Sequence, residues 1–172
     1  HGIAHRLAAE DACQLSNRYP SDKYLLTAEQ CSEALLTQVF SPRIAAPEVF
    51  RQFVYAWLTG NGDLHAKNLS IVENRKGQYE LSPIYDIPST APYGDKSMAL
   101  LLSGKKDGLS RRRFLTFAHN IGVSSRVAEH VLEEVLTGTE HLAEQTREEL
   151  PFDSHRMKEL LKVLKNRRRS LL

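Results

Sequence analysis

Apolar residues recur at three- and four-residue spacing over most of this chain, and strict alternation is confined to one short region. Leu35, Leu36, Val39 and Phe40 line the inner face of a helix that Thr27 and Gln30 open with a capping-box signature and that runs to about Phe40. Val49, Phe50, Phe53, Val54, Trp57 and Leu58 mark a strongly buried stripe on the next helix, with Pro47 suited to its first turn and Gly60 to its stop. Before these, a first helix is expected over roughly Arg6 to Asn17, broken by "RYPSDKY". Ser110 caps a helix to about Ile121, ended by Gly122, and residues 125–137 and 139–150 give helical patterns interrupted by Gly138. Asp153 or Ser154 caps a last helix, with Met157, Leu160, Leu161 and Leu164 inward. The alternating region supplies two strands, "LSIVE" and "YELSPIY", joined by "NRKGQ". No repeat, low-complexity segment or long linker interrupts the pattern. The expectation is one mainly α domain over residues 1–172 with a single β-hairpin.

Between the buried helix and the first strand lies "TGNGDLHAKNLSIV", residues 59–72, which is too polar and too glycine-rich to continue either element. Asp63 and Asn68 lie after the end of the buried helix and just before the first strand, and Asp86, in "SPIYDIPST", falls just after the second strand. An antiparallel hairpin brings its open ends together, with adjacent strands about 5 Å apart. Asn68 and Asp86 should therefore meet, with Asp63 close by. One amide oxygen and two carboxylates suit magnesium, which takes few protein ligands and leaves positions for water and phosphate oxygens. A free aspartate beside such a site can accept a proton from an attacking hydroxyl. The order Asp, Asn five residues on, hairpin, Asp is that of the protein-kinase catalytic and metal-binding loops. Asn-Gly and Gly-Asp are also ordinary turn pairs, so spacing alone leaves a polar turn open beside phosphoryl-transfer chemistry. By the same measure His65 is a hydrogen-bonded structural histidine and Lys67 a solvated charge.

Composition narrows the field only slightly. The 172 residues suffice for one sizeable core, 41% are hydrophobic and 26% charged, and the net charge of +2 makes no case for bulk attraction to nucleic acid or membrane. The longest apolar runs, such as "MALLL" at 98–102, are too short to span a bilayer, and no signal peptide is visible. Cys13 and Cys31 lack CxxC spacing and read as free buried thiols in a reducing cytosol. The first residue is His, which reads as part of a longer polypeptide or a processed product.

"GNGDLHAKNLSI" followed by "LSPIYDIPST" resembles the catalytic core of the HipA family, bacterial serine/threonine kinases of type II toxin–antitoxin systems. The upstream "RLAAEDACQLSNRYPSDKY" is similar to that family's "EDxCQ…KY" segment, so the likeness covers most of residues 6–120. The resemblance implies a kinase-like C-terminal (large) lobe, helical, with the hairpin beside the catalytic loop. It makes Asp63 the catalytic aspartate and Asn68 and Asp86 the magnesium ligands that hold ATP. His65 and Lys67 match motif positions that organise the loop and approach phosphate. The Glu10-Asp11 pair matches as well, though helix capping and tertiary hydrogen bonding explain it better. Further implications are a cytoplasmic protein, a DNA-binding HipB-like antitoxin through which DNA is contacted only indirectly, and a protein substrate in translation, with aminoacyl-tRNA synthetases the family precedent.

The chain departs from a complete kinase in one respect. Its nine glycines never form GxGxxG or GxxxxGK[ST], and no lysine lies on a plausible strand upstream of the catalytic loop. A small lobe, in the same or another chain, would have to supply both. Alone, residues 1–172 are expected to bind Mg-ATP weakly or not at all and to transfer no phosphate.

A competing reading is a non-catalytic DNA- or partner-binding module, since "FLTFAHNIGVSSRVAEHVLEEVL" at 114–136 resembles a helix-turn-helix. Its second helix carries Glu129, Glu133 and Glu134 against a single Arg126, too acidic for a phosphate-facing element, and an ordinary helical corner fits better. The tail "KNRRRSLL" reads either as a nucleic-acid or acidic-partner contact or as a solvated last turn suited to the helix dipole. Arg111, Arg112 and Arg113 sit at a helix start, where the dipole disfavours them, and suggest either a phosphate or partner contact or a surface ion-pair network.

Overall fold

A computed structural model, which describes residues 6–172, is organised around helix α3, Pro42–Thr59. Six further helices surround it: α1 Ala12–Leu15, α2 Ala28–Leu36, α4 Arg111–Asn120, α5 Ser125–Gly138, α6 Leu142–Glu149 and α7 Ser154–Leu171. The fold is mainly α, as the periodicity indicates. The stripe on α3 is buried as expected, and its aromatics lock against α4. Phe53 meets Phe117 edge to face at 5.0 Å between centroids, and Phe50 and Trp57 each lie 6.4 Å from Phe114. Val131, Leu132, Val135 and Leu136 of α5 join the same core.

The hairpin is present as β2, Ser70–Glu73, and β3, Tyr79–Leu81, antiparallel with Ile71 opposite Leu81 and Glu73 opposite Tyr79. Asn74 folds the turn by accepting the Lys76 and Gln78 amides on its side-chain oxygen, and Gly77 takes the left-handed conformation. One correction concerns the first helix. Ala9–Asp11 form strand β1, paired antiparallel to β2 with Ala9 opposite Val72, and only Ala12–Leu15 are helical. The hairpin is thus two strands of a three-stranded sheet ordered β1-β2-β3. Asp11 caps α1 in a reciprocal box with Gln14, so the capping reading of that pair holds. A second correction concerns α3, which starts at Pro42. Pro47 lies inside it, where it forfeits one intrahelical bond.

At the other end of α3, Gly60 adopts φ +76°, and the Asn61 amide reaches back to Ala56 O at 2.9 Å in a Schellman-type stop. This reversal launches the polar loop directly from the rigid core helix.

The basic tail is largely structural. The α7 helix continues to Leu171, whose side chain is fully buried in the main core. Arg167 is only 4% exposed; it donates to Trp57 O at 2.9 Å and to Lys96 O, and its guanidinium stacks 4.1 Å from the Trp57 ring centroid. Burial pulls this guanidinium down to about 10, which leaves it charged at neutral pH. Arg168 caps Leu136 O at 2.7 Å, and Trp57 Nε1 donates to Ser170 Oγ at 3.2 Å. Arg111 bonds Glu129, Glu133 and Leu171 O, and Arg113 bonds Ser103 O, so two of the three clustered arginines form the ion-pair and capping network. Those glutamates are the ones that made α5 a poor DNA reader, and the buried side of α5 faces the core: residues 114–136 form a helical corner. No helix of the described residues is long and apolar enough to cross a membrane.

Cys13 and Cys31 are both free and buried, and desolvation raises both thiols, Cys31 to about 12. Because the thiolate is the reactive form, neither should react with a thiol-disulfide reagent at pH 8 in the folded protein, and both should react promptly in denaturant. Arg167→Leu is expected to lower the unfolding free energy by about 2 kcal/mol in urea titrations, since two carbonyls lose their donor and Trp57 its cation. Arg167→Lys should not restore it, because a point ammonium cannot serve both carbonyls and stack on the indole.

Candidate active site

The loop after α3 is fixed at each polar position by a different partner. Asn61 is buried and accepts the Asp63 amide on its side-chain oxygen at 2.7 Å, an Asx-type turn. The Gly62 amide donates to Thr90 Oγ1 at 2.9 Å, and Gly60 O accepts the Thr90 amide at 3.0 Å. A Cβ at Gly62 would overlap Thr90 Oγ1 and stand 2.7 Å from Ser97 O, so the segment after the hairpin lies flat against a backbone that only glycine permits. A short 3-10 turn over Ala66–Asn68 then delivers the chain into β2.

Asn68 is buried, and its Nδ2 donates to Asp86 Oδ2 at 3.0 Å and to Asp63 O at 3.2 Å. The open ends of the hairpin meet as their antiparallel pairing requires. Asp86 is exposed and holds φ +53°, a left-handed conformation that Asp tolerates better than most residues. Its neighbour Tyr85 donates to Lys67 O at 2.8 Å and therefore accepts from Ser70 Oγ, which pins the strand that carries Asp86 to the loop that carries Asn68. Burial raises the Tyr85 phenol, keeping it a donor.

The Asp63 carboxylate is partly exposed and accepts the Tyr24 hydroxyl on Oδ1 at 2.8 Å. That bond is the main reason the Tyr24 phenol is raised. Beside it, Lys23 Nζ lies 2.8 Å from His65 Nε2, and the Lys23 carbonyl accepts the Ala66 amide at 3.1 Å. An ammonium can only donate, so Nε2 accepts and the ring proton sits on Nδ1, which is buried without a partner among the described residues. Burial, and then the Lys23 charge, push His65 below the ordinary histidine value, so it is neutral near pH 7. His65 Nε2 is 4.0 Å from Asp63 Oδ1, too far for a hydrogen bond. Tyr24 packs edge-on against the His65 ring at 5.3 Å.

Of the residues singled out in the sequence, Asn68 and Asp86 meet side chain to side chain, Asn68 reaches Asp63 only at its backbone carbonyl, and His65 stands 4.0 Å from the Asp63 carboxylate. Lys67 contributes its carbonyl, while its ammonium makes no hydrogen bond or ion pair among the described residues. Lys23 and Tyr24 carried no assigned role; the only trace of them was the "KY" at the end of the upstream segment, and their contacts lie 42 and 39 residues away along the chain. Tyr85 and Thr90 were likewise missed.

The donor set fits a hard cation. Both Asn68 amide hydrogens are taken, no donor among the described residues reaches its Oδ1, and Asp86 Oδ1 is equally free. Among the described residues no three His, Cys, Asp or Glu side chains converge as a metal cluster, which speaks against a closed zinc-type site there. Two oxygen ligands with the rest left open match what magnesium accepts beside phosphate.

Comparison with known proteins gives a consistent picture. A Haemophilus influenzae protein named "Putative kinase" is 26% identical over 145 residues, covering 72% of this chain and 42% of its own length. A Sinorhizobium fredii protein named "Putative kinase Y4mE" is 31% identical over 130 residues, covering 71% of this chain and 31% of its own length. A solved structure of the Shewanella oneidensis MR-1 toxin–antitoxin complex of HipA, HipB and its operator DNA superposes with a TM-score of 0.73 at 18% identity, over 94% of this chain and 44% of that one. The chain thus spans less than half the length of each of these proteins and shares the fold of the last. The model of the HipA-like C-terminal domain matches residues 2–143, and the chain belongs to that family.

Proposed function

We propose that this chain is the large lobe of an ATP- and magnesium-dependent protein serine/threonine kinase, the toxin of a HipA-type toxin–antitoxin system. The observation that carries the reading is the Asn68–Asp86 contact, which leaves one oxygen of each side chain without a hydrogen-bond partner and ties Asn68 to the loop that carries Asp63 through the Asp63 carbonyl. Asn68 Oδ1 and Asp86 would hold magnesium, which would neutralise charge on the phosphate oxygens of ATP. Asp63, with Oδ1 held by Tyr24, presents Oδ2 to the acceptor hydroxyl. It takes that hydroxyl's proton as the oxygen forms its bond to the γ-phosphorus and the bond to the β-phosphate oxygen breaks, releasing ADP. His65, neutral and tied to Lys23, sets the shape of the loop, and Lys67 is available to phosphate. The other side of the nucleotide, a Gly-rich loop and a strand lysine, belongs to a small lobe supplied from beyond these 172 residues. The same reading gives the chain a HipB-like, DNA-binding antitoxin as partner and a translation protein, such as an aminoacyl-tRNA synthetase, as substrate class.

Two tests on the complete polypeptide separate these roles. Asp63→Asn should cut phosphate transfer by about 10²–10⁴-fold while nucleotide binding persists, and Asp86→Asn should weaken Mg-dependent nucleotide binding itself. Normal phosphorylation by both variants would remove the site assignment. Tyr24→Phe keeps the ring against His65 and deletes one charge-assisted bond, so kcat should fall about tenfold with the KM for ATP unchanged. A rise in KM with kcat intact would place Tyr24 in nucleotide binding instead.

A further inference from the structure

Residues 90–97, between the hairpin and α4, are held from two sides. Toward the loop, the Thr90 amide donates to Gly60 O at 3.0 Å, and Thr90 Oγ1 accepts the Gly62 amide at 2.9 Å. The same hydroxyl donates its proton to Asp95 O at 2.9 Å, which leaves its lone pairs for Gly62. On the other side, Ala91 is buried against Leu160, Val163 and Leu164 of α7, and Lys96 pairs with Glu159 of the same helix. Arg167 of α7 donates to both Lys96 O and Trp57 O, so one buried guanidinium joins this segment to the end of α3. The α7 helix lies outside residues 2–143, the segment matched by the family model. Thr90 is thus fixed from behind, and the loop, with glycine at both 60 and 62, is the softer partner.

Asp63 follows Gly62 directly. Its own amide is held by Asn61 Oδ1 at 2.7 Å, so the backbone leading into the carboxylate has two anchors, Asn61 and Thr90. Tyr24 bonds one carboxylate oxygen and leaves the main chain to those two. Thr90 also stands on the stretch of chain that carries Asp86, four residues earlier. It therefore ties the loop bearing the proposed base to the stretch bearing the proposed magnesium ligand. We propose that Thr90 is a positioning residue for phosphate transfer: its hydroxyl sets where the Asp63 carboxylate stands against the Asn68–Asp86 pair. The proposal rests on the reading of Asp63 as the base. The role needs no contact with nucleotide or acceptor and moves no proton. Misplacing a reacting group by about 1 Å costs on the order of a hundredfold in rate, so a small shift at Gly62 has a large readout. A methyl group in place of Oγ1 supplies such a shift. Carbon prefers about 3.5–4 Å from a neighbouring heavy atom, and the Gly62 nitrogen is at 2.9 Å.

The test measures steady-state phosphate transfer by the complete polypeptide. Thr90→Val keeps the shape of the side chain and removes the acceptor, so kcat should fall about ten- to hundredfold, with the KM for ATP unchanged within about twofold. Thr90→Ser keeps the hydroxyl and should retain kcat within about threefold. Thr139→Val makes the same exchange at the end of α5, where the hydroxyl donates to Val135 O at 2.7 Å. It also loses a hydrogen bond, and its kcat should stay within about twofold of the unaltered protein. Urea unfolding of both valine variants corrects turnover for the folded fraction. Equal losses of kcat in the two valine variants, a loss in Thr90→Ser as deep as in Thr90→Val, or a raised KM with kcat intact would each overturn the proposal. Asp63→Asn is run in parallel. If it transfers phosphate normally, or the unaltered protein transfers none, the assigned base is wrong and the proposal goes with it. If Asp63→Asn is inactive while Thr90→Val turns over normally, the proposal alone fails.

Discussion

Two hydrogens on the Asn68 amide hold the candidate site together. One chain segment arrives from α3 through the loop at 60–69, and another leaves the hairpin toward Thr90; the amide donates to Asp63 O on the first and to Asp86 Oδ2 on the second. Because both hydrogens are taken by these two oxygens, the amide oxygen is left without a hydrogen-bond partner, and its position is what a cation would read. An amide is well suited to this duty, since a carboxylate in its place would have no hydrogens to give and would repel Asp86. The left-handed backbone at Asp86 is a local cost of order 1 kcal/mol that persists because Tyr85, one residue earlier, is fixed to Lys67 O and Ser70.

The meeting of Asn68 and Asp86 follows from the sequence because one local device determines it: an antiparallel hairpin returns to its start, whatever else the fold does. The α3 stripe, its Gly60 stop and the Asp153 cap were predictable for the same reason, being written within a few residues of where they act. What escaped reading is non-local. Strand β1 is three residues long, its apolar spacing is indistinguishable from that of a helix, and it becomes a strand only because β2, sixty residues on, offers an edge. Pro42 and Pro47 both satisfy the rule for a helix start; packing of Ala45 and Ala46 into the core selects the earlier one. Lys23 and Tyr24 are invisible for the same reason as β1, since no periodicity links them to Asp63 and His65.

Charge is the other property that a linear reading assigns poorly. A run such as "KNRRRSLL" has a sign and a density but no orientation until the helix is placed. Helical geometry then splits it: Arg167 and Arg168 land on the side that meets α3 and α5, where carbonyls and an indole accept them, while Lys165 and Arg169 land on the opposite side with nothing to answer them. The same partition separates Arg111 and Arg113, which are bonded inward, from Arg112, which is exposed.

Electrostatic accounting at the site leads to a further step. On the proposed reading, the triphosphate of ATP brings several negative charges toward the Asp63 and Asp86 carboxylates. Of the two lysines beside the loop, Lys23 is committed to His65, where its charge adds to burial in lowering that ring's pKa, and Lys67 is uncommitted among the described residues. One lysine and one divalent cation do not balance that charge, so on the proposed reading the deficit falls to the opposite wall of the nucleotide cleft. A Gly-rich loop with its backbone N–H groups and a strand lysine are the groups that chemistry asks for there. Asp63 as base and Asn68 and Asp86 as oxygen ligands make up one wall of the cleft on that reading, and the charge they leave unbalanced is what the opposite wall would have to answer.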